Sequence, residues 1–228
     1  MTVTSCNLSS CFLCTNCIPE WRKLIAANKQ TLSFKKGKNI FREGDPVKGI
    51  FFLYEGSAKI YMHWGEQKEL IIRFAKAGDI LGYRGLIDSH TYPVSADTLE
   101  DAKVCYISND VLEATIKTNP SFTQSLLQVY GRELQKAEKR MRDLVHMGVK
   151  GRIALALLEV AEIFGSRDDK FIALPIQRQD VAFYAGTTYE TVFKFFAELI
   201  AMGTIHTSGK NIRINDPDAL RKFVNYHS

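Results

Sequence analysis

The hydrophobic pattern of this chain changes its period at Pro120, and no single class of secondary structure accommodates both parts. Before Pro120, short apolar or alternating runs at 50–54, 58–62 and 70–74 are separated by glycines. After it, apolar residues recur at intervals of three and four, which is the spacing of one face of a helix. The chain therefore predicts a β-rich N-terminal part and a helical C-terminal part.

Glycine turns divide the β-rich part, about residues 30–110, into short strands. Strands this short and this regularly interrupted are typical of a compact barrel or jelly roll. Glycine suits the turns because it adopts tight backbone conformations in which a side chain would clash. The glycines that separate the strands are Gly37, Gly44, Gly56, Gly65 and Gly78.

A long helix is predicted over residues 120–147, with one narrow apolar stripe at the a/d spacing of a coiled coil. Such a stripe buries best against a copy of the same helix in a homodimer; the alternative is that it packs on the chain's own β-roll. A second helical run at 149–164 has the broader apolar face of a domain core, and Gly148 between the two runs suits a hinge. The stripe consists of Tyr130, Leu134, Ala137, Met141, Leu144 and Gly148.

Two short helices joined through a glycine follow near the C-terminus. Residues 177–186 predict a helix that ends at Gly186, and either Thr187 or Thr188 can cap the next helix, Thr187 together with Glu190 as a capping box. This arrangement is typical of a helix-turn-helix, and the hairpin pattern at 204–214 makes it a winged helix. The core face of the second helix is Val192, Phe195, Phe196 and Leu199.

The opposite face of that second helix carries side chains suited to base edges in the major groove of DNA. Glu190 can accept from a cytosine amine, Lys194 can donate to guanine, and Phe193 can pack on a thymine methyl. The alternatives are that Glu190 only caps its helix and that Phe193 belongs to the core. The candidate DNA-binding residues, phosphate contacts included, are Gln177, Arg178, Gln179, Thr188, Tyr189, Glu190, Phe193 and Lys194.

Composition narrows the class of protein only slightly. The net charge of +5 is compatible with a polyanionic partner, but the positive excess is not concentrated in the C-terminal part. No apolar run has the length of a membrane span, and the first residues lack the features of a secretory signal, so we expect a cytoplasmic protein. The sequence shows no glycine-rich phosphate loop, no paired carboxylate site and no Cys/His nucleophile pattern. It therefore does not predict an enzyme.

The helix-turn-helix pattern resembles that of the cyclic-AMP receptor protein and FNR superfamily. The resemblance rests on 177–181, Gly186 and 189–194, and it extends to the glycine turns and the long helix, over about residues 25–220. Lys194 stands where the family has Arg, and Phe193 where it has a small residue, so the half-site is left open.

The resemblance implies an α+β fold with an N-terminal cyclic-nucleotide-binding-type β-roll (jelly roll), a long dimerisation helix and a C-terminal winged helix-turn-helix. It also implies double-stranded DNA, a second copy of the chain and RNA polymerase as partners. The corresponding division is a Cys-bearing N-terminal segment at 1–24, a β-roll sensor domain at 25–119, the dimerisation helix at 120–147 and the winged-helix domain at 148–228.

The same resemblance places an effector pocket in the β-roll. Members that bind cyclic nucleotides grip the phosphate with an Arg-Ser or Arg-Thr pair, whereas Tyr92, Pro93 and Val94 stand there in this chain. This argues against cyclic AMP, because a cyclic phosphate without a partner in an apolar roll is costly to desolvate. The candidate pocket residues are Gly78, Tyr83, Arg84 and Tyr92.

Four of the five cysteines, Cys6, Cys11, Cys14 and Cys17, lie within twelve residues. The last three have the spacing of three ligands to a ferredoxin-type cluster, and resemblance to FNR implies a [4Fe–4S] cluster with Cys105 as the fourth ligand. Cys6 is the other candidate for that fourth position. The alternatives are zinc, free or oxidisable thiols on a flexible tail, and for Cys105 a buried apolar role.

The sequence thus predicts a homodimeric DNA-binding transcription regulator, redox- or oxygen/nitric-oxide-responsive through its N-terminal cysteines. In this hypothesis a signal in the N-terminal half shifts the helix around residues 144–148 and re-aims two recognition helices at a pseudo-palindromic site. The alternative is a β-roll that binds a small ligand, with a winged helix that contacts protein rather than DNA.

Overall fold

The computed structural model describes residues 11–65, 68–86 and 90–225. Cys6 therefore lies outside the described residues. Its N-terminal elements are α1 (Phe12–Thr15), α2 (Pro19–Asn28), β1 (Gln30–Phe34), β2 (Asn39–Phe41), β3 (Gly49–Glu55), β4 (Ser57–Trp64), β5 (Lys68–Lys76), β6 (Ile80–Leu81), β7 (Ser95–Thr98) and β8 (Ala102–Ser108), with a short 3₁₀ helix at Tyr83–Leu86. Its C-terminal elements are α3 (Asn109–Thr118), α4 (Pro120–His146), α5 (Val149–Phe164), α6 (Arg178–Ala185), α7 (Tyr189–Ala201), β9 (Ile205–Ser208), β10 (Asn211–Ile214) and α8 (Pro217–Asn225).

The predicted β-roll is confirmed as two four-stranded sheets, with strand orders β1-β8-β3-β6 and β2-β7-β4-β5. Strand β3 lies inside its sheet, and its apolar run is buried on both faces, which explains why that run is continuous rather than alternating. The turn after β3 requires Gly56, because its φ is +90° and a Cβ there would lie 2.9 Å from the Ala102 Cα.

The chain forms two compact units. One comprises the chain up to Met62 together with Arg73–Leu134, and the other comprises His63–Ile72 and the chain from Gln135 onwards. The four-part division predicted above remains a prediction, since strands β4 and β5 and helix α4 each contribute to both units.

The described part of the N-terminal segment is docked rather than free. The Trp21 indole donates to the Thr115 hydroxyl at 3.0 Å, and the Ile18 backbone N–H donates to the Asn119 side chain at 3.0 Å. The hypothesis of thiols on a flexible tail is therefore wrong for Cys11, Cys14 and Cys17, which are buried in the core of the first unit.

Helix α4 is continuous, as predicted, but its exposed apolar stripe does not begin with Tyr130 as the spacing suggested. Tyr130 is half-buried, and its hydroxyl donates to the Tyr83 carbonyl oxygen at 2.6 Å, so it packs inside its own unit. The exposed stripe runs in heptad steps through Leu127, Leu134 and Met141, and Val145 extends it; these four side chains are between 61% and 71% exposed.

No helix within the described part of the chain combines the length and apolar content that crossing a bilayer requires.

The winged helix follows the predicted order. Gly186 ends α6 in the left-handed conformation with φ +63°, and the Thr188 hydroxyl caps α7 by accepting from the Thr191 backbone N–H. The alternative cap at Thr187 is therefore wrong. Strands β9 and β10 pair through a two-residue loop in which Gly209 has φ +60°.

Candidate functional site: nucleic-acid interface, cavity and thiols

Helix α7 has one buried face and one exposed face. Its buried face is the predicted set of Val192, Phe195, Phe196 and Leu199. On the other side Glu190 and Lys194 are exposed, and Phe193 is 52% exposed, so its interpretation as a core residue is wrong. The helix therefore presents an acidic, an aromatic and a basic side chain within two turns.

Glu190 takes part in the helix cap and remains accessible. Hydrogen bonds from its own backbone N–H and from the Thr188 hydroxyl, with the charge of Lys194 nearby, hold the pKa of Glu190 below its usual range. The carboxylate is thus ionised at neutral pH, as an acceptor for a base amine must be. Capping and base recognition are compatible in this geometry, so Glu190 need not serve only one of them.

The aromatic side chains of α7 form a small cluster with Arg178. The rings of Tyr189 and Phe193 stack with centroids 6.3 Å apart, and the Arg178 guanidinium lies 5.6 Å from the ring centroids of both Phe193 and Phe196. Cation–π contacts of this kind hold both partners in place. The structure therefore joins Arg178, at the start of α6, to the exposed face of α7.

The remaining predicted residues flank this cluster. Gln177 is the exposed N-cap residue of α6, Gln179 is half-buried in its first turn, and Thr188 is the N-cap of α7. The structure thus places all eight candidate DNA-binding residues at the N-caps or within the first two turns of the two helices. Helix N-termini present free backbone N–H groups, which suit phosphate oxygens.

Two arginines that the sequence analysis did not single out contact the turn between α6 and α7. Arg140 of α4 and Arg152 of α5 both donate to main-chain carbonyl oxygens at the end of α6. On the sequence, Arg140 is one of many polar residues between the apolar positions of its helix. No sequence signal marks either residue, because their partners are backbone atoms.

Three of the four predicted pocket residues line one cavity in the β-roll. Tyr83, Arg84 and Tyr92 lie on it, whereas Gly78 lies in the turn before β6, where its backbone N–H donates to the Leu53 carbonyl oxygen. The full lining is Phe41, Ile60, Arg73, Leu81, Gly82, Tyr83, Arg84, Tyr92 and Val94.

Aromatic rings occupy one side of this cavity. The rings of Phe41 and Tyr92 stack with centroids 4.4 Å apart, and the Tyr92 hydroxyl donates to the Gly49 carbonyl oxygen at 2.7 Å. Burial raises the pKa of Tyr92 to about 12. Tyr92 and Val94 therefore stand at the wall where the resemblance places a phosphate-gripping pair, and the expectation against cyclic AMP remains a prediction.

The charges of the cavity are compensated inside the protein. The Arg84 guanidinium donates to the Glu133 carboxylate at 2.8 Å, and the Arg73 Nε lies 3.7 Å from the same oxygen. Arg84 is therefore not a solitary surface residue. Burial raises the pKa of Tyr83, whose ring packs beside both arginines.

The four described cysteines share one apolar core with Leu13, Phe52 and Phe122. All four are buried and none of them is in a disulfide: Cys11, Cys14, Cys17 and Cys105. Burial raises the pKa of the Cys17 thiol to about 11, with Arg22 opposing the effect. This environment favours the neutral thiol, whereas metal ligation requires the thiolate.

The described residues do not fit a metal centre as they are placed. Within 11–65, 68–86 and 90–225, no three Cys, His, Asp or Glu side chains are arranged to hold one ion. Burial of Cys105 beside Phe52 agrees with its interpretation as a small apolar residue.

Family models match both ends of the chain. A model described as "Cyclic nucleotide-binding domain" matches residues 31–119, and one described as "Crp-like helix-turn-helix domain" matches residues 151–223. The first covers the two sheets with the cavity, and the second covers α5 to α8 with the residues of the candidate nucleic-acid interface.

Curated relatives and solved structures agree with these matches. The chain is 30% identical over 190 residues to the transcriptional activator protein anr of Pseudomonas aeruginosa, across 82% of this chain and 78% of the relative. It is 26% identical over 195 residues to a CRP-like cAMP-activated global transcriptional regulator of Mycobacterium tuberculosis, across 85% of this chain and 87% of the relative. The fold is similar to that of FixK2 from Bradyrhizobium japonicum, with a TM-score of 0.75, 24% identity and coverage of 86% and 96%.

Proposed function

This chain belongs to the Crp/Fnr family of DNA-binding transcription regulators, and we propose that it binds a pseudo-palindromic promoter site as a homodimer through helix α7. The observation that carries this proposal is the exposed face of α7, where Glu190, Phe193 and Lys194 stand opposite a fully buried face. A helix so anchored can enter the major groove without losing its own core.

The side chains on this face have distinct roles in the proposal. Glu190 accepts from a cytosine amine, Lys194 donates to guanine, and the ring of Phe193, held between Tyr189 and Arg178, packs on a thymine methyl. Gln177, Arg178, Gln179 and Thr188 at the two helix starts contact the phosphate backbone and set the register.

The homodimer is supported by the exposed stripe of α4. Leu127, Leu134 and Met141 repeat every seven residues, and apolar residues at this spacing are buried when two helices wrap around each other. A twofold dimer would present two α7 helices to half-sites one DNA turn apart. The family resemblance adds RNA polymerase as a partner on the promoter, and the cytoplasm as the place of action.

The experiment is a comparison of Glu190→Ala and Lys194→Ala with the wild type on a duplex that the wild-type protein selects from a random library. Each variant is expected to lose affinity for this duplex by about 5-fold to 150-fold, because one good base contact contributes about 1–3 kcal/mol. Lys23→Ala, an exposed lysine on α2, is the control for loss of one positive charge. If both α7 variants bind like the wild type, the winged helix contacts protein instead.

A redox response through the N-terminal cysteines is a second proposal. Its support is the common core of Cys11, Cys14, Cys17 and Cys105, where oxidation of one thiol introduces a polar group among apolar neighbours. A [4Fe–4S] cluster would need the thiolates of Cys11, Cys14 and Cys17 around one centre, with Cys105 or Cys6 as the fourth ligand. The described residues do not bring three such ligands together.

Anaerobic purification followed by iron, sulfide and zinc analysis tests this second proposal, with visible spectra before and after exposure to air. Bound iron and sulfide would support the cluster, and a metal-free protein whose DNA affinity changes in air would support the thiols alone. A colourless, metal-free protein that binds DNA equally with and without air overturns the proposed redox response.

Tyr83, Arg84 and Tyr92 remain proposed contacts for a small effector in the cavity.

A further inference from the structure

The end of helix α6 is capped by side chains from outside the helix-turn-helix. The last carbonyl groups of a helix lack partners within it, and cationic side chains near a C-terminus are favourable. Here the Tyr184 carbonyl oxygen accepts from Arg140 Nη2 at 2.5 Å, and the Ala185 carbonyl oxygen accepts from Arg152 Nε at 2.9 Å. Arg152 Nη2 also lies 3.4 Å from the Gly186 carbonyl oxygen. Three successive carbonyl groups therefore accept from two arginines.

Arg140 is held at both ends of its guanidinium. Nη1 donates to the Ile72 carbonyl oxygen of β5 at 2.6 Å, and the guanidinium carbon lies 4.6 Å from the Tyr184 ring centroid. The Tyr184 hydroxyl in turn donates to Glu159 of α5 at 2.7 Å. Burial lowers the pKa of Arg140, whose charge faces Tyr184 and Glu159. One residue of α4 thus joins a strand of its own unit to the first helix of the helix-turn-helix.

Arg152 joins the same turn to the hinge. Its Nη1 donates to the Met147 carbonyl oxygen at 2.7 Å, immediately before Gly148, and its other nitrogens reach Ala185 and Gly186. The turn is also packed closely on α4, because a Cβ on Gly186 would lie 3.0 Å from Leu144 Cδ2. The position of the turn is therefore set by the last turn of α4 and by the hinge.

We propose that Arg140 and Arg152 are positioning residues for base recognition, which hold the turn between α6 and α7 and so set the direction in which α7 points. This inference rests on the proposed DNA-binding function of α7. Neither arginine contacts DNA in this proposal, because the guanidinium groups are bonded to main-chain oxygens. A shift of α4 at residue 140, or of the hinge at residue 147, would be passed directly to α7.

The test compares Arg140→Gln and Arg152→Gln with the wild type on two duplexes across a range of salt concentrations. One duplex is selected from a random library by the wild-type protein, and the other is unrelated in sequence. Lys139→Gln, which removes the same charge from the neighbouring exposed position of α4, is the matched control.

If the two arginines position α7, their replacement should lower the preference for the selected duplex rather than DNA affinity in general. The ratio of specific to non-specific affinity is expected to fall about tenfold in both arginine variants, as when hydrogen bonds of a charged group are lost. The salt slope is expected to stay at its wild-type value, whereas loss of a phosphate contact would reduce it by about one. Lys139→Gln should keep the wild-type ratio.

Folding is monitored by backbone amide spectra at the assay temperature, with Gly186 and Thr187 as local probes. Arg140→Lys and Arg152→Lys, which keep the charge but have one donor nitrogen in place of three, are expected to recover part of the ratio and serve where a Gln variant fails to fold. An unchanged ratio in folded variants, or a reduced salt slope, overturns the inference. If the wild type itself shows no preference between the duplexes, it is the proposed function that fails.

Discussion

Arg84 and Glu133, which are 49 residues apart, form a 2.8 Å hydrogen-bonded ion pair that joins the wall of the β-roll cavity to helix α4. Both side chains are largely buried, and Arg73 Nε lies 3.7 Å from the same carboxylate oxygen. Arg73 also pairs with the Asp79 carboxylate at 3.4 Å, so Arg84 depends on Glu133 more than Arg73 does.

Removal of the Glu133 carboxylate should destabilise the first unit. Glu133→Gln leaves the partly buried Arg84 guanidinium without its carboxylate partner, while Arg73 keeps the Asp79 carboxylate, and we expect a loss of roughly 1–3 kcal/mol in the free energy of unfolding. Urea denaturation measures this loss. Glu113→Gln, which breaks the exposed pair with Lys117, should leave the free energy of unfolding almost unchanged. Equal effects of the two substitutions would contradict the role assigned to Glu133.

Phe193 should make DNA affinity depend on a methyl group. Replacement of thymine by uracil removes the C5-methyl and leaves base pairing intact. We expect wild-type affinity for the selected site to fall about fourfold, the equivalent of one buried methyl group. Phe193→Ser should bind the two duplexes equally, whereas Lys194→Ala should retain the difference. A wild type indifferent to uracil would rule out the thymine contact.

The stripe on α4 should control the association state. Leu134→Glu places a charge at the centre of the exposed apolar series, where a partner helix would bring two such charges together. We expect a monomer by sedimentation at micromolar concentration, and affinity for a full site no higher than for a half-site. Gln135→Glu adds the same charge beside the stripe and should remain dimeric. A dimeric Leu134→Glu protein would place the interface elsewhere.

Stability should fall at high pH because of Cys17. Its pKa is raised from near 9 to about 11, so the folded state favours the neutral thiol. The resulting stabilisation is complete below pH 9 and is lost as the pH rises from 9 to 11, by about 2 kcal/mol. Urea denaturation of the wild type and Cys17→Ala over this range isolates the effect of this thiol. Parallel pH profiles of the two proteins would show that Cys17 titrates normally.

The fold and the face of α7 were predictable from local patterns. Apolar spacing identified α4, α5 and the buried face of α7, because a helix must bury one side whatever lies against it. Gly186 marked the end of α6, since its left-handed conformation favours glycine. The choice between Thr187 and Thr188 as the cap could not be made, because both are chemically equivalent one residue apart.

Contacts between distant segments were not predictable. Tyr130 fits the apolar stripe by its spacing, yet it packs toward Tyr83, because periodicity defines a face and not its partner. The cysteine spacing indicated a metal site, while burial of the described thiols depends on how α1 and α2 dock against β3, β8 and α4.

The sequence alone thus determined the run of short strands, the long helix and the winged helix, because each is encoded in local spacing, turns and caps. Only the tertiary structure decided which charged groups meet. Arg84 donates to the Glu133 carboxylate, and Arg140 and Arg152 donate to carbonyl oxygens at the end of α6. The physical reason is that a hydrogen bond to a backbone carbonyl or to a distant carboxylate depends on which segments the tertiary fold brings together. The identity of the arginine alone does not specify that partner.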